Sequence, residues 1–281
     1  MTRPFKHDSA LSALPPVIGI VASQLLNPYQ QKMLDEVTRQ LNVRGAITVL
    51  LSADSEEALT ALIRQAKPLA TRGLILLPGN RITDTCNLPV LKIDAEPELQ
   101  ADARRAGEVT SELLLAEGHQ RFGFMQSQPV ESAQKQGYST ALQAAGRVLN
   151  AVLTSEADDR DGAYQAMMDY LKKTRAADRI QALFCESDLL AFGAIQAIRD
   201  FGQGAHIAVA GFGDSEEARS STWHLTSWSP DIRQIMGNAL DRWLGQHVVS
   251  SQVQGQLARR HSHFGKIAPG EMSACGCAFR H

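Results

Sequence analysis

Apolar positions along this chain follow two rhythms. Short runs of β-branched and aliphatic residues, such as Val17-Ile18-Gly19-Ile20 and Ile47-Thr48-Val49-Leu50-Leu51, alternate with longer segments whose apolar residues recur every three and four positions. That alternation predicts parallel strands joined by crossover helices. A strand over 17–23 leads to a helix that begins at Pro28, places Met33, Leu34, Val37 and Leu41 on one face, and stops at Gly45. A strand over 47–51 follows. Asp54 and Ser55 are cap residues for a helix carrying Leu59, Leu62, Ile63 and Ala66, which Pro68 ends before a strand over 73–77. The spacing then predicts a strand over 90–94, a long helix over 99–117 closed by Gly118, and a strand over 121–126.

The rhythm repeats in a second half. Helices are predicted over 133–145, 162–172 and 189–201, and strands over 148–153, 182–185 and 207–211. A last helix over 232–244, followed by a polar tail, breaks the pattern and is expected to pack back onto the first half. Two α/β halves of similar size are therefore expected. In open parallel sheets ligands collect outside the carboxyl ends of the strands, and two such sheets edge to edge form a cleft. The candidate lining positions are those just after strands: 23–29, Gly79 and Asn80, Asp94 onward, 126–134, Ser187 with Asp188, and Gly213 with Asp214.

Composition narrows the function classes. A length of 281 residues suits two domains, and 44% hydrophobic with 21% charged residues excludes disordered and fibrous chains. Lys and Arg number 28 against 30 Asp and Glu, so no global positive field draws the chain to a polyanion, and any nucleic-acid contact would be local. No apolar stretch approaches the roughly 20 residues of a membrane-spanning helix. Residues 17–22 have the look of a signal-peptide core, but Pro15-Pro16 before them favours a first core strand. Cys86, Cys185, Cys275 and Cys277 lie apart except for the last two, so no disulfide framework is expected and a cytoplasmic location fits.

Several strings in this order resemble the ligand-sensing core of the lactose-repressor (LacI/GalR) family, over roughly residues 17–270. They are Val17-Ile18-Gly19-Ile20 before Asn27-Pro28-Tyr29, Glu117-Gly118-His119-Gln120-Arg121-Phe122-Gly123-Phe124, Gln136-Gly137-Tyr138, Ala182-Leu183-Phe184-Cys185-Glu186-Ser187-Asp188, and Ile207-Ala208-Val209-Ala210-Gly211-Phe212-Gly213-Asp214. The last string, with Gln134-Lys135-Gln136, is most similar to members that sense gluconate or related sugar acids. The resemblance implies an α/β, periplasmic-binding-protein-like type I fold: two doubly wound parallel-sheet subdomains with a ligand cleft between them, and usually a homodimer. The subdomains would be 17–126 plus about 228–247, and 127–227 plus about 248–270. Residues 1–16 would be an arm, with 8–14 compatible with a hinge remnant, and 271–281 a tail. The family reads operators with an amino-terminal helix-turn-helix. No pair of helices is read in residues 1–16, so operator binding is expected only where that element is supplied upstream or by another subunit.

Sugar effectors are held by charged or amide groups on their hydroxyls and by an aromatic face on the ring. The resemblance places effector contacts at Asp102 and at Gln134, which stands where relatives commonly carry an arginine. Asp102 is also readable as a solvated first-turn acid favoured by the helix dipole, and Lys135 either substitutes for the arginine or faces solvent. Ser187 and Asp188 replace the family's Asn-Asp; Asp188 also reads as a helix-start acid. Gly213 stands where relatives place an acid, and Ala157 where several stack an aromatic. Ser23 and Tyr29 complete the candidate set, Tyr29 with an alternative as a packing residue.

The expected function is thus a repressor-type sensor of a sugar or sugar acid such as gluconate. The alternative is a truncated relative acting as a dimerisation decoy or ligand binder. Ser132-Ala133-Gln134-Lys135 echoes the serine–lysine hydrolase motif, but the companion motifs are incomplete and out of order. No catalytic residue, metal or cofactor is expected. Gly211 and Gly213 lack the third glycine of a phosphate cradle. Cys275, Cys277 and His281, with His261 and His263, are compatible with a soft-metal tail but read more simply as an incidental terminus. Arg259-Arg260-His261 reads as a solvated basic patch.

Overall fold

The structure is a computed structural model and describes residues 15–69, 71–202, 205–246 and 253–265. The arm up to residue 14 and the tail with Cys275, Cys277 and His281 lie outside the described residues. The chain divides into two compact units. One runs to Gln100 and takes in Asp231–Val253; the other is Ala101–Pro230 with the chain from Gln254 onward. Among the described residues no helix is long and apolar enough to cross a membrane.

The first unit is built on β1 (Val17–Val21), β2 (Ile47–Leu51), β3 (Thr71–Leu76) and β4 (Val90–Lys92), a parallel sheet in the order β2-β1-β3-β4. Helix α1 (Pro28–Val43) starts at Asn27, whose side chain accepts from the Gln30 N–H while Gln30 reaches back to the Asn27 N–H, a reciprocal cap. Helix α2 (Glu56–Ala66) is capped by Ser55. The predicted strand over 90–94 is shorter than expected, because residues 93–95 turn into a single helical turn closed by the Glu96 N–H on the Ile93 carbonyl ahead of Pro97.

The last helix, α7 (Ile232–Trp243), belongs to this unit. It shares a core with Ile18, Ile20, Met33, Val37 and Leu41, and its Gln40 contact runs from the Gln40 amide to the Arg233 carbonyl at 2.8 Å. A Cβ on Gly73 would lie 2.5 Å from the Trp243 ring, so only glycine lets that indole lie against β3.

Helix α3 (Pro97–Ala116) carries the chain into the second unit. There β5 (Phe122–Gln126), β6 (Leu149–Thr154), β7 (Ala182–Cys185), β8 (Ala208–Phe212), β9 (Thr226–Ser229) and β10 (Gln256–Ala258) form one sheet in the order β10-β9-β8-β7-β5-β6. All neighbours are parallel except β10, which runs antiparallel to β9. Two expectations are corrected. The segment over 121–126, assigned from sequence to the first subdomain, is an interior strand of the second sheet, paired to β6 and β7 and buried along its whole length. The polar tail after the last helix, 232–243, also contains a strand, β10, and a further unexpected strand, β9, precedes that helix; their sequences, QLA and TSWS, are too short and too mixed in polarity for a search of apolar runs to find.

Helices α4 (Ala133–Ala144), α5 (Arg160–Lys173) and α6 (Asp188–Phe201) flank this sheet. Helices α3 and α4 cross in backbone contact at two glycines. A Cβ on Gly107 would sit 2.1 Å from the Gln134 carbonyl oxygen, and one on Gly137 would sit 2.0 Å from that of Arg104. Beneath the crossing, Phe124, Tyr138 and Phe184 pack ring against ring with centroids 5.4–6.3 Å apart.

The return segment after β10 is tied down by His263, which is buried. Its Nδ1 lies 2.8 Å from Thr226 Oγ1, which already accepts from the Arg260 N–H at 2.8 Å. The threonine hydroxyl and Nδ1 share a hydrogen bond, and Nε2 faces Glu117 at 3.8 Å. Burial, with Arg259, His119 and His261 adding to it, pushes the His263 pKa down to about 4. The unfolded chain then binds the proton first, so stability from this group is complete above the ordinary histidine pKa of 6.5 and is lost as pH falls toward 4. A loss of about 3 kcal/mol is expected across that window. Urea titrations at stepped pH should show this slope in the native chain and a shallower one in His263→Gln; equal slopes would refute the assignment.

Candidate functional site

The carboxyl ends of the second unit's strands carry a dense set of buried polar side chains. β5 leads to Ser127, whose N–H and hydroxyl donate to Glu186 Oε2 at 3.0 and 3.2 Å. Gln134, the second residue of α4, donates its amide to the Glu186 carbonyl at 3.2 Å. After β6 the loop brings Asp158 to Ser187, whose hydroxyl donates to Asp158 Oδ1. The same Ser187 oxygen caps α6, accepting from the Leu190 N–H. After β8 the backbone adopts left-handed values at Gly213 (φ 117°) and Asp214 (φ 43°), and the Gly213 N–H bonds the Trp228 carbonyl at 2.9 Å.

Two carboxylates organise the loops from beneath. Asp188 accepts from the Ser215 N–H at 2.6 Å on one oxygen and from the Ser227 hydroxyl at 2.6 Å on the other. A Cβ on Gly211 would stand 2.5 Å from the same carboxylate, so the strand's glycine makes room for it. Asp102, on α3, accepts from the Trp228 indole N–H at 2.8 Å, and Gly255 lies against both. Asp214 is clasped by two arginines, Arg260 at 2.6 Å and Arg219 at 3.0 Å.

Five of the seven residues expected from sequence, Asp102, Gln134, Ser187, Asp188 and Gly213, are buried in this region of the second unit. The other two lie in the first unit, at the carboxyl end of β1. Ser23 is exposed, with its hydroxyl 3.4 Å from Asn80 Oδ1, and Tyr29 is half-buried against the core of α1 and α7. Residues that sequence reasoning passed over are Asp158, Glu186, Ser227, Trp228 and Arg260, whereas Ser127 lies within the candidate stretch 126–134. Glu186 had a usable signal, an acid directly after a strand, and Asp158 a weaker one, an acid in the loop that follows β6. Arg260 had none: read as part of a solvated patch, it instead turns inward, donating also to the Leu225 carbonyl at 2.5 Å.

Burial raises the Glu186 carboxyl above its ordinary pKa against the two Ser127 hydrogen bonds; nearby Asp158 raises it further and Lys135 opposes. Burial also raises Asp188, opposed by its Ser227 and Ser215 donors. The ensemble offers acceptors and amides at fixed positions, the chemistry that recognises hydroxyls. It does not assemble a serine–lysine nucleophile. Ser132 caps α4 by accepting from the Lys135 N–H at 3.3 Å, and the Lys135 ammonium pairs with Glu131 at 3.1 Å. Among the described residues no three His, Cys, Asp or Glu side chains are grouped to hold a metal.

The model of the family described as periplasmic binding proteins and sugar-binding domain of the LacI family matches residues 15–221. The chain belongs to this family. The HTH-type transcriptional repressor PurR of Yersinia enterocolitica is 22% identical over 268 residues, 87% of this chain and 76% of that one. Two solved structures share the fold. A LacI-family regulator from Sanguibacter keddieii has a TM-score of 0.68 at 24% identity, over 88% of this chain and 98% of the other. The dimeric Lac repressor with an 11-residue C-terminal deletion has a TM-score of 0.70 at 21% identity, over the same shares. Within this LacI-type domain Gln134 brings an uncharged amide to the start of α4, and it is Arg260, from the return segment, that brings a guanidinium to the carboxyl end of β8.

Proposed function

We propose that this chain is the effector-sensing core of a LacI-type transcriptional regulator, acting in the cytoplasm as a homodimer, with a sugar or sugar acid such as gluconate as its effector. The observation that carries this reading is the convergence of Asp102, Gln134, Ser187, Asp158 and Glu186 at the carboxyl ends of the second unit's strands, where α/β sheets receive ligands. The family match and the repressor relative support the regulatory role, and the dimeric state of the Lac repressor structure supports dimerisation. Operator binding then depends on a helix-turn-helix provided with, or alongside, this core.

A thermal-shift screen with gluconate, idonate and neutral hexoses tests the reading. A free ligand at 100 times its dissociation constant is expected to add about 2.7 kcal/mol of stability. Gln134→Ala is expected to weaken that ligand about tenfold, the value of one good hydrogen bond. Saturating concentrations of every sugar and sugar acid leaving the melting temperature unmoved would overturn it.

A further inference from the structure

A cavity lies in the second unit, at the strand ends opposite to those that carry the candidate effector residues. It has a volume of about 290 Å³ and is lined by the later part of α6, the start of β8, the loop before β9 and the segment after β10. Its floor is apolar: Ile195, Ile198, Ile207, Val209 and Trp223 are the outer members of the second unit's core. Its rim carries Arg199, His224 and His261, and no described lining residue is acidic. The Arg199 guanidinium stands 5.2 Å over the Trp223 ring and uses one N–H on the Thr222 carbonyl at 2.7 Å. A guanidinium has five N–H donors, so others remain for a ligand.

The walls are preformed. Ser262 is locked between the Thr226 N–H at 2.8 Å and the Val209 carbonyl at 2.6 Å, and the His261 and Ser262 N–H groups both bond the His224 carbonyl, at 3.0 and 3.1 Å. His224 itself sits at φ 41°, a left-handed conformation that a β-substituted residue holds only when its surroundings impose it, and its ring lies 4.9 Å from that of His261. Burial, with His261 and Arg260 close by, holds the His224 pKa below the usual histidine value. The rim's permanently charged cation is Arg199.

We propose that this cavity is a second ligand site, for a small aromatic monocarboxylate whose ring rests on the isoleucine floor and Trp223 and whose carboxylate meets Arg199 beside His224. The size is just under the range of drug-sized sites, which sets the ligand class at a single small ring system. A cationic rim without acids selects the anion over a neutral isostere. The site is separate from the carboxyl-end residues proposed to hold the effector, so the two stand or fall independently.

Fluorine NMR of the full chain labelled with fluorotryptophan reads this directly, since the three tryptophans report on different places. The chain is titrated with 1-naphthoate and with neutral 1-naphthamide. The Trp223 resonance, identified by its loss in Trp223→Phe, is expected to shift saturably with the acid while Trp228 and Trp243 stay in place. The amide should bind about tenfold more weakly, and Arg199→Gln should erase that preference. Ile195→Phe, which fills the floor and leaves Arg199 intact, should abolish both. No saturating shift at Trp223, equal binding of acid and amide to the unaltered chain, or a shift confined to Trp228 would overturn the proposal.

Discussion

Gly137→Ala is expected to destabilise the second unit by about 3 kcal/mol or more, the upper range for overpacking a close contact. The added carbon would stand 2.0 Å from the Arg104 carbonyl oxygen, and also 2.8 Å from the carbonyl carbon, so it meets backbone and no side-chain rotation relieves it. Helices α3 and α4 would have to separate, which disturbs both Asp102 and Gln134 at once. Urea unfolding measures the effect. Gly237→Ala in α7 is the control, because there the new carbon meets only the flexible end of Gln40 at 3.3 Å. Alanine's higher helix propensity, about 1 kcal/mol over glycine, should make that variant neutral or slightly stabilising. Equal midpoints for Gly137→Ala and the native chain would show that the crossing is not in backbone contact.

The second large effect is expected at Asp188, where alanine should cost about 3 kcal/mol. Its two oxygens satisfy the Ser215 N–H and the Ser227 hydroxyl, each at 2.6 Å and buried, and truncation leaves the Ser215 amide without an acceptor. Asp188→Asn should recover part of the loss, because one amide oxygen still accepts and Ser227 can turn its hydroxyl. Burial raises the Asp188 pKa, so the folded state holds its proton to higher pH than the unfolded chain does. The ionised group is therefore a burden near neutrality that lightens as pH falls through its folded pKa, and the gap between the native chain and Asp188→Asn should change with pH in that direction. Urea midpoints for the three chains at neutral and mildly acidic pH decide the matter. An alanine variant as stable as the native chain would show that the carboxylate does not organise the loop after β8.

Asp188, Asp102 and Arg260 show how unevenly the site was legible in the sequence. Asp188 was visible as an acid after a strand, and its reading as a helix-start residue was open from the outset. What could not be read was the direction of its oxygens, because Ser227 is 39 positions away and on a strand too short and polar to be recognised. Asp102 was reached through the family resemblance, yet its indole partner Trp228 lies 126 positions downstream. Arg260 sits in a run that composition reads as a solvated patch. Only the pairing of β10 with β9 delivers it to Asp214.

The strand and helix alternation, the cap at Ser55, and the family itself were determined by the sequence, because each depends on neighbours within a few residues or on short strings kept in order; the cap of α6 was read one residue late, at Asp188 instead of Ser187. The membership of β5 in the second sheet, the existence of β9 and β10, and the partners of Asp102, Asp188 and Asp214 were decided by the tertiary structure alone. Those features rest on pairings between distant segments, whose energy exists only once the sheet has closed the distance. No local propensity carries them.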